Sequence, residues 1–205
     1  MKTIRVLKKS VRAELVENRQ RYLVSLLVLL VGIVLGVVVT TAEGSDYNIY
    51  ETNSLSLYDI ITSDYEKMDL FLDCFGRLLL ACAIIFVFSF KRISFLLSFV
   101  YLAFQGFLFS SSLVSVVSIN GIEGVLSGLF FILPMNLLNF AVLIFFLCVC
   151  WKRLVFAGAY RLTFKKSVKL FAGKFFAVLV LCVLSSAIYG FIYPLLLRSI
   201  IVINY

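Results

Sequence analysis

The sequence predicts an all-α membrane protein. It would be a single domain, a bundle of five transmembrane helices, with a broken or re-entrant segment before the fourth and amphipathic helices on the cytoplasmic side. Three observations predict it. Hydrophobic residues make up 62% of the 205-residue chain, against roughly 45–50% in an average soluble domain, and the mean hydropathy is +1.08. Charged residues are only 15% of the chain and are gathered into short stretches. Those stretches alternate in sign with the apolar runs, as loops on opposite faces of a membrane do.

The first apolar run, residues 22–41, is about 30 Å long as a helix, the thickness of the hydrocarbon core. It lacks the small-residue cleavage pattern of a secretory signal and is read as an anchor that stays. The second crossing is placed at residues 70–90. The uncharged part of that stretch is too short alone, so Asp73 and Arg77 must be carried near its outer end. They lie four apart, on one helical face, and can neutralise each other as an interfacial ion pair. Ser63 followed by Glu66 resembles a capping box that starts this helix ahead of the membrane.

Between the basic pairs Lys91-Arg92 and Lys152-Arg153 the only charge is Glu123. Two crossings fit there, at residues 93–117 and 122–151. A serine cluster (Ser110, Ser111, Ser112, Ser115, Ser118) leads into Asn120-Gly121, a turn dipeptide. The dozen residues that follow, up to Pro134, are too few to span a bilayer. They form a half-helix, a re-entrant piece or the upper part of a kinked fourth helix. The fifth crossing is placed at residues 175–197.

Charge gives the orientation. The first 21 residues, the pair Lys91-Arg92 and residues 152–174 together hold 16 of the 19 lysines and arginines. The loop at residues 42–69, extended to Asp73, holds eight of the eleven acids. The positive-inside rule then puts the N-terminus in the cytoplasm, the acidic loop outside and, after five crossings, the C-terminus outside. Two basic flanks carry apolar stripes. One is Ile4, Leu7, Val11 and Leu15; the other is Ala157, Tyr160, Phe164, Val168 and Phe171. Both are read as amphipathic helices on the inner leaflet or as docking faces for a cytoplasmic partner. The net charge of +8 is explained by anionic lipid, with no nucleic-acid partner needed.

No catalytic constellation is legible, and the chain is expected not to be an enzyme or to hold a cofactor or metal. There is no histidine, the commonest general base and metal ligand. There is no phosphate loop, no HExxH pair, no carboxylate in the middle of a crossing and no calcium loop. The five cysteines (Cys74, Cys82, Cys148, Cys150, Cys182) have no metal spacing and read as small buried hydrophobes. What remains is a set of polar and small residues inside the membrane. Pro134 and Asn136 stand where the helix must break, with Asn139 one turn on and Gln105 as a partner from the third helix. Gly32 and Gly36, and again Gly124 and Gly128, have the spacing for close helix approach. These residues serve bundle packing, a homo-oligomer face or a substrate path at a broken helix.

The segment FILPMNLLN, residues 131–139, resembles the proline-asparagine-leucine stretch of the stage II sporulation protein M family. The amphipathic basic start, the outer loop after the first helix and the glycines before the Pro-x-Asn are similar as well. So is the closing helix AIYGFIYPLLLR, with Pro194 a few residues before Arg198. The resemblance covers roughly residues 18–198. It implies a membrane scaffold that assembles cell-wall-remodelling proteins of the envelope. The alternative is a permease-like subunit working with a separate cytoplasmic ATPase.

Overall fold

A computed structural model of the chain describes residues 17–43 and 67–192. The stripe from Ile4 to Leu15, the Ser63–Glu66 capping box, most of the acidic loop, and Pro194 with the residues after it lie outside the described residues. Every element described is helical: α1 Arg19–Glu43, α2 Lys67–Phe88, α3 Leu96–Ser127, α4 Leu133–Ala159 and α5 Phe164–Ala187. A π turn, Gly128–Ile132, joins α3 to α4, and a second, Ile188–Ile192, extends α5. Five helices are long and apolar enough to cross a membrane, through Arg19–Ala42, Met68–Phe88, Leu96–Ser118, Asn136–Ala159 and Phe164–Ile192. The chain is therefore a multi-pass, all-helical membrane protein. Much of its apolar surface stays bare, including Leu27 at 60% and Leu80 at 60% exposure, because lipid tails are as apolar as leucine.

Pairs of touching residues fix the direction of each helix. Gly32 meets Ala103, Gly36 meets Phe107 and Thr40 Oγ1 donates to Ser111 Oγ at 3.0 Å. The two numbers rise together at a constant offset of 71 residues, so α1 and α3 are parallel. Elsewhere one number rises as the other falls. Glu17 meets Lys152 and Ser25 meets Cys148 between the start of α1 and α4. Cys82 meets Cys182 and Phe71 meets Phe191 between α2 and the α5 segment. Asn139 meets Ser185, and Phe146 meets Phe175, between α4 and α5. The five helices therefore alternate in direction, and the basic helix ends gather at one end of the bundle.

The α1–α3 contact is made by small residues. A Cβ on Gly32 would overlap the Ala103 carbonyl, and one on Gly36 would overlap Ser110 Oγ and the Phe107 carbonyl. Gly106 answers from α3, where a Cβ would fall 2.7 Å from the Leu29 carbonyl. Without a hydrophobic force between helices in lipid, such backbone contact supplies the packing energy. Gly128 does not repeat this role. A Cβ there would sit 3.5 Å from Leu113 Cγ, an ordinary contact with a side chain rather than with backbone. Gly124 lies in the last turns of α3, where side-chain surroundings fall outside the described residues.

The turn read at Asn120-Gly121 is present. Gly121 has φ 57° and ψ −127°, a left-handed conformation that glycine adopts at little cost. The chain reverses there, and the returning limb packs beside α3. Phe109 touches Phe140, and Phe99 touches Trp151. Nineteen positions separate Gly121 from Phe140, against twelve from Phe109 to Gly121. The longer limb is accommodated by the π turn and by Pro134, which stands in the first turn of α4 where its missing N–H does no harm.

The apolar stripe from Ala157 to Phe171 does not form one surface helix. α4 runs on past Trp151 to Ala159, and α5 starts at Phe164 rather than near residue 175. Between them the Leu162 N–H bonds the Ala157 carbonyl at 2.9 Å, with Arg161 at φ 50°. This is a Schellman turn with arginine where glycine is usual. The stripe is folded back on itself as a helical hairpin, with the Phe156 and Phe171 rings 6.1 Å apart.

Replacing Gly32 by valine is expected to lower stability by about 1–3 kcal/mol, the usual cost of overpacking. Gly76→Ala, at an α2 position with open space around it, leaves stability unchanged or slightly raised. Equilibrium unfolding in mixed detergent micelles measures both.

Candidate functional site

The polar side chains inside the bundle mostly close on the helices themselves. Asn136 Nδ2 donates to the Ile132 carbonyl at 2.8 Å, one turn back on its own helix. Gln105 Nε2 donates to the Tyr101 hydroxyl at 2.9 Å, also one turn back, so it is not the partner of Asn136. The inter-helix bond falls to Asn139, whose Oδ1 accepts from Ser185 Oγ at 3.0 Å. Ser112 and Ser115 donate to the carbonyls four residues earlier, the economical solution where no water is available. The five cysteines are free and buried. Cys82 and Cys182 bring their sulfurs to 4.0 Å across α2 and α5. Asp73 and Arg77 form the expected pair, with Arg77 Nη2 2.9 Å and Nε 3.0 Å from the carboxylate oxygens. Both are at least half exposed, so the pair stabilises by a few tenths of a kcal/mol, roughly 0.3–0.5.

The densest polar junction is one the sequence reading passed over. Arg153 was grouped with Lys152 as a basic flank, yet it is 1% exposed. Its Nη2 donates to the carbonyl of Ser89, the residue after α2, and also reaches Ser89 Oγ at 3.2 Å. Its Nη1 donates to Ser167 Oγ, in the first turns of α5, at 3.3 Å. The guanidinium carbon lies 4.5 Å over the Phe164 ring, which also stacks on the Phe90 ring at 4.2 Å. One side chain of α4 thus caps the C-terminal end of α2 and holds the start of α5. A cation suits the negative end of the α2 dipole, and the aromatic face takes up charge where water is excluded. Its Nε is buried without a partner. Helical spacing was the available signal. Leu143, Phe146, Leu147, Cys150, Arg153 and Leu154 recur at three- and four-residue steps along the buried face of α4.

Around this junction the basic ends pack together. Arg92 lies against the backbone of Gly158, and Lys152 Nζ bonds Glu17 Oε1 at 2.8 Å. Among the described residues no group of three potential metal ligands comes together. Compared with known proteins, the chain matches no family model, no curated protein and no solved structure.

Arg153→Leu is expected to lower stability by about 2–4 kcal/mol, since hydrogen bonds to charged groups contribute roughly 1.5–3 kcal/mol each and the Ser89 carbonyl is left buried and unmet. Arg153→Lys recovers less than half of that loss, because an ammonium cannot span Ser89 and Ser167 while stacking on Phe164. Thermal unfolding of the purified protein in detergent measures the difference.

Proposed function

We propose that this chain is a non-enzymatic membrane scaffold of the kind found in the stage II sporulation protein M family. It sits in the cell membrane with its N-terminus and basic helix ends in the cytoplasm and its acidic loop and C-terminus outside. The observation that carries the reading is the way the intramembrane polar groups are used. Asn136, Asn139, Gln105, Ser110, Ser112 and Ser115 bond within their own helices or to a neighbour, which makes a rigid post, while Ser98 Oγ of α3 stays buried without a partner. The clustering of basic helix ends supports the orientation, since basic segments stay on the cytoplasmic side. The acidic outer loop then faces envelope proteins as partners.

A second reading has its own observation. Gly121, the π turn at Gly128–Ile132 and Pro134 interrupt one limb of the bundle within fourteen residues. Interrupted helices line substrate paths in transporters. In that reading the chain is a permease-like subunit, and the hairpin at residues 152–174, which carries seven basic residues and no acid, docks on a separate ATPase.

Co-purification from mild detergent separates the two. The scaffold reading predicts recovery of a cell-wall-remodelling envelope protein with the full chain, and recovery of a nucleotide-binding subunit in its place would contradict it. Asn136→Leu is expected to leave that recovery intact and to cost about 0.6 kcal/mol of stability, the average for a membrane hydrogen bond. A permease would lose transport instead.

A further inference from the structure

A groove of about 320 Å³ runs along the outside of the bundle at its basic end, where α1 passes α4. It is lined by Arg19, Tyr22, Leu23, Leu26 and Ile144. The four α1 residues follow the i, i+3, i+4, i+7 spacing of a single helical face. Leu23 and Leu26 are 46% and 43% exposed, so this face meets acyl chains rather than another helix. Arg19, the first residue of α1, stands at one end of the groove with Tyr22 one turn along. An arginine and a tyrosine at that depth fit the headgroup level of a leaflet.

Charge at this end selects the occupant. Glu17 is the only carboxylate there among the described residues, and it is taken by Lys152 at 2.8 Å. Arg21 is held by Asn18, with Nη1 2.5 Å from Oδ1. The Arg19 side chain makes no ion pair or hydrogen bond among the described residues. A zwitterionic headgroup would bring an ammonium of its own towards Arg19, the one charged residue lining the groove, whereas an anionic headgroup supplies the missing negative charge. We propose that this groove binds one anionic phospholipid, with an acyl chain along Leu23, Leu26 and Ile144 and the phosphate on Arg19.

Trp151 is the single tryptophan of the chain and lies two helical turns along α4 from Ile144, which makes it a built-in reporter. The full-length protein in phosphatidylcholine nanodiscs is titrated with brominated phosphatidylglycerol or brominated phosphatidylcholine, and quenching of Trp151 is read. The anionic lipid is expected to quench with about fivefold higher relative affinity, equivalent to about 1 kcal/mol for one basic residue near a lipid surface. Arg19→Gln brings that ratio close to one. Ile144→Phe keeps the charge but fills the groove, and it too lowers the ratio. Equal quenching by the two lipids in the unaltered protein would overturn the proposal. So would an anionic preference that survives Arg19→Gln, or relief of quenching by inorganic phosphate alone, which would mark a free-anion site.

Discussion

Two helix ends, the last of α2 and the first of α5, meet on the guanidinium of Arg153 from α4, and most of what happens at the basic end follows from how that cation is satisfied. A charge taken out of water needs hydrogen-bond partners and a polarisable neighbour, or it will not stay buried. Here the partners are the Ser89 carbonyl, the Ser89 and Ser167 hydroxyls and the Phe164 ring. Ser89 follows α2 and Ser167 lies near the start of α5, so satisfying the arginine also sets where those two helices end and begin against α4. The aromatic layer of Phe86, Phe90, Phe164 and Phe175 packs around the same point. Burial and assembly are coupled: the cation is tolerable only when all three helices are in place.

The other half of the fold depends on a different economy. Lipid gives helices no hydrophobic reason to associate, so α1 and α3 are held by close backbone approach at Gly32, Gly36 and Gly106 and by the Thr40–Ser111 bond. Small residues make that approach cheap in side-chain entropy. Where the first π turn gives way to α4, nearby side chains do the satisfying. Asn136 turns back to Ile132, and Asn139 links α4 to α5 through Ser185. The proposed scaffold role and the interrupted limb before Pro134 belong to one architecture, a bundle whose polar side chains mostly bond within it and whose helices are interrupted at Gly121 and in two π turns.

Much of this was legible in the sequence because a bilayer imposes length and charge rules that act residue by residue. Long apolar runs, the Asn120-Gly121 reversal, the Asp73–Arg77 pair and the Gly32/Gly36 contact were read from spacing alone. The failures share a cause, which is that they depend on a partner helix. The turn between α4 and α5 carries Arg161 where a glycine would have announced it, so the apolar stripe from Ala157 to Phe171 looked like one continuous surface helix. Gln105 was paired with Asn136 by polarity, whereas each finds an acceptor one turn away. Gly124 and Gly128 repeat the Gly32/Gly36 spacing, yet Gly128 faces only the Leu113 side chain at ordinary distance. Arg153 looked like half of a basic pair, and only its place on the buried face of α4 distinguishes it from Lys152, 22% exposed and bonded to Glu17.

The central claim is that the helices alternate in direction and bring their basic ends to one side of the membrane. Its most direct test uses single reporter cysteines, since all five native cysteines are buried and resist polar reagents. Lys91→Cys, Arg161→Cys and Asp69→Cys are each made in the full chain and labelled with a membrane-impermeant maleimide in sealed vesicles of known orientation. The account predicts that positions 91 and 161 label from the same side and position 69 from the opposite one. Labelling of position 91 or 161 from the side that reaches position 69 would contradict it.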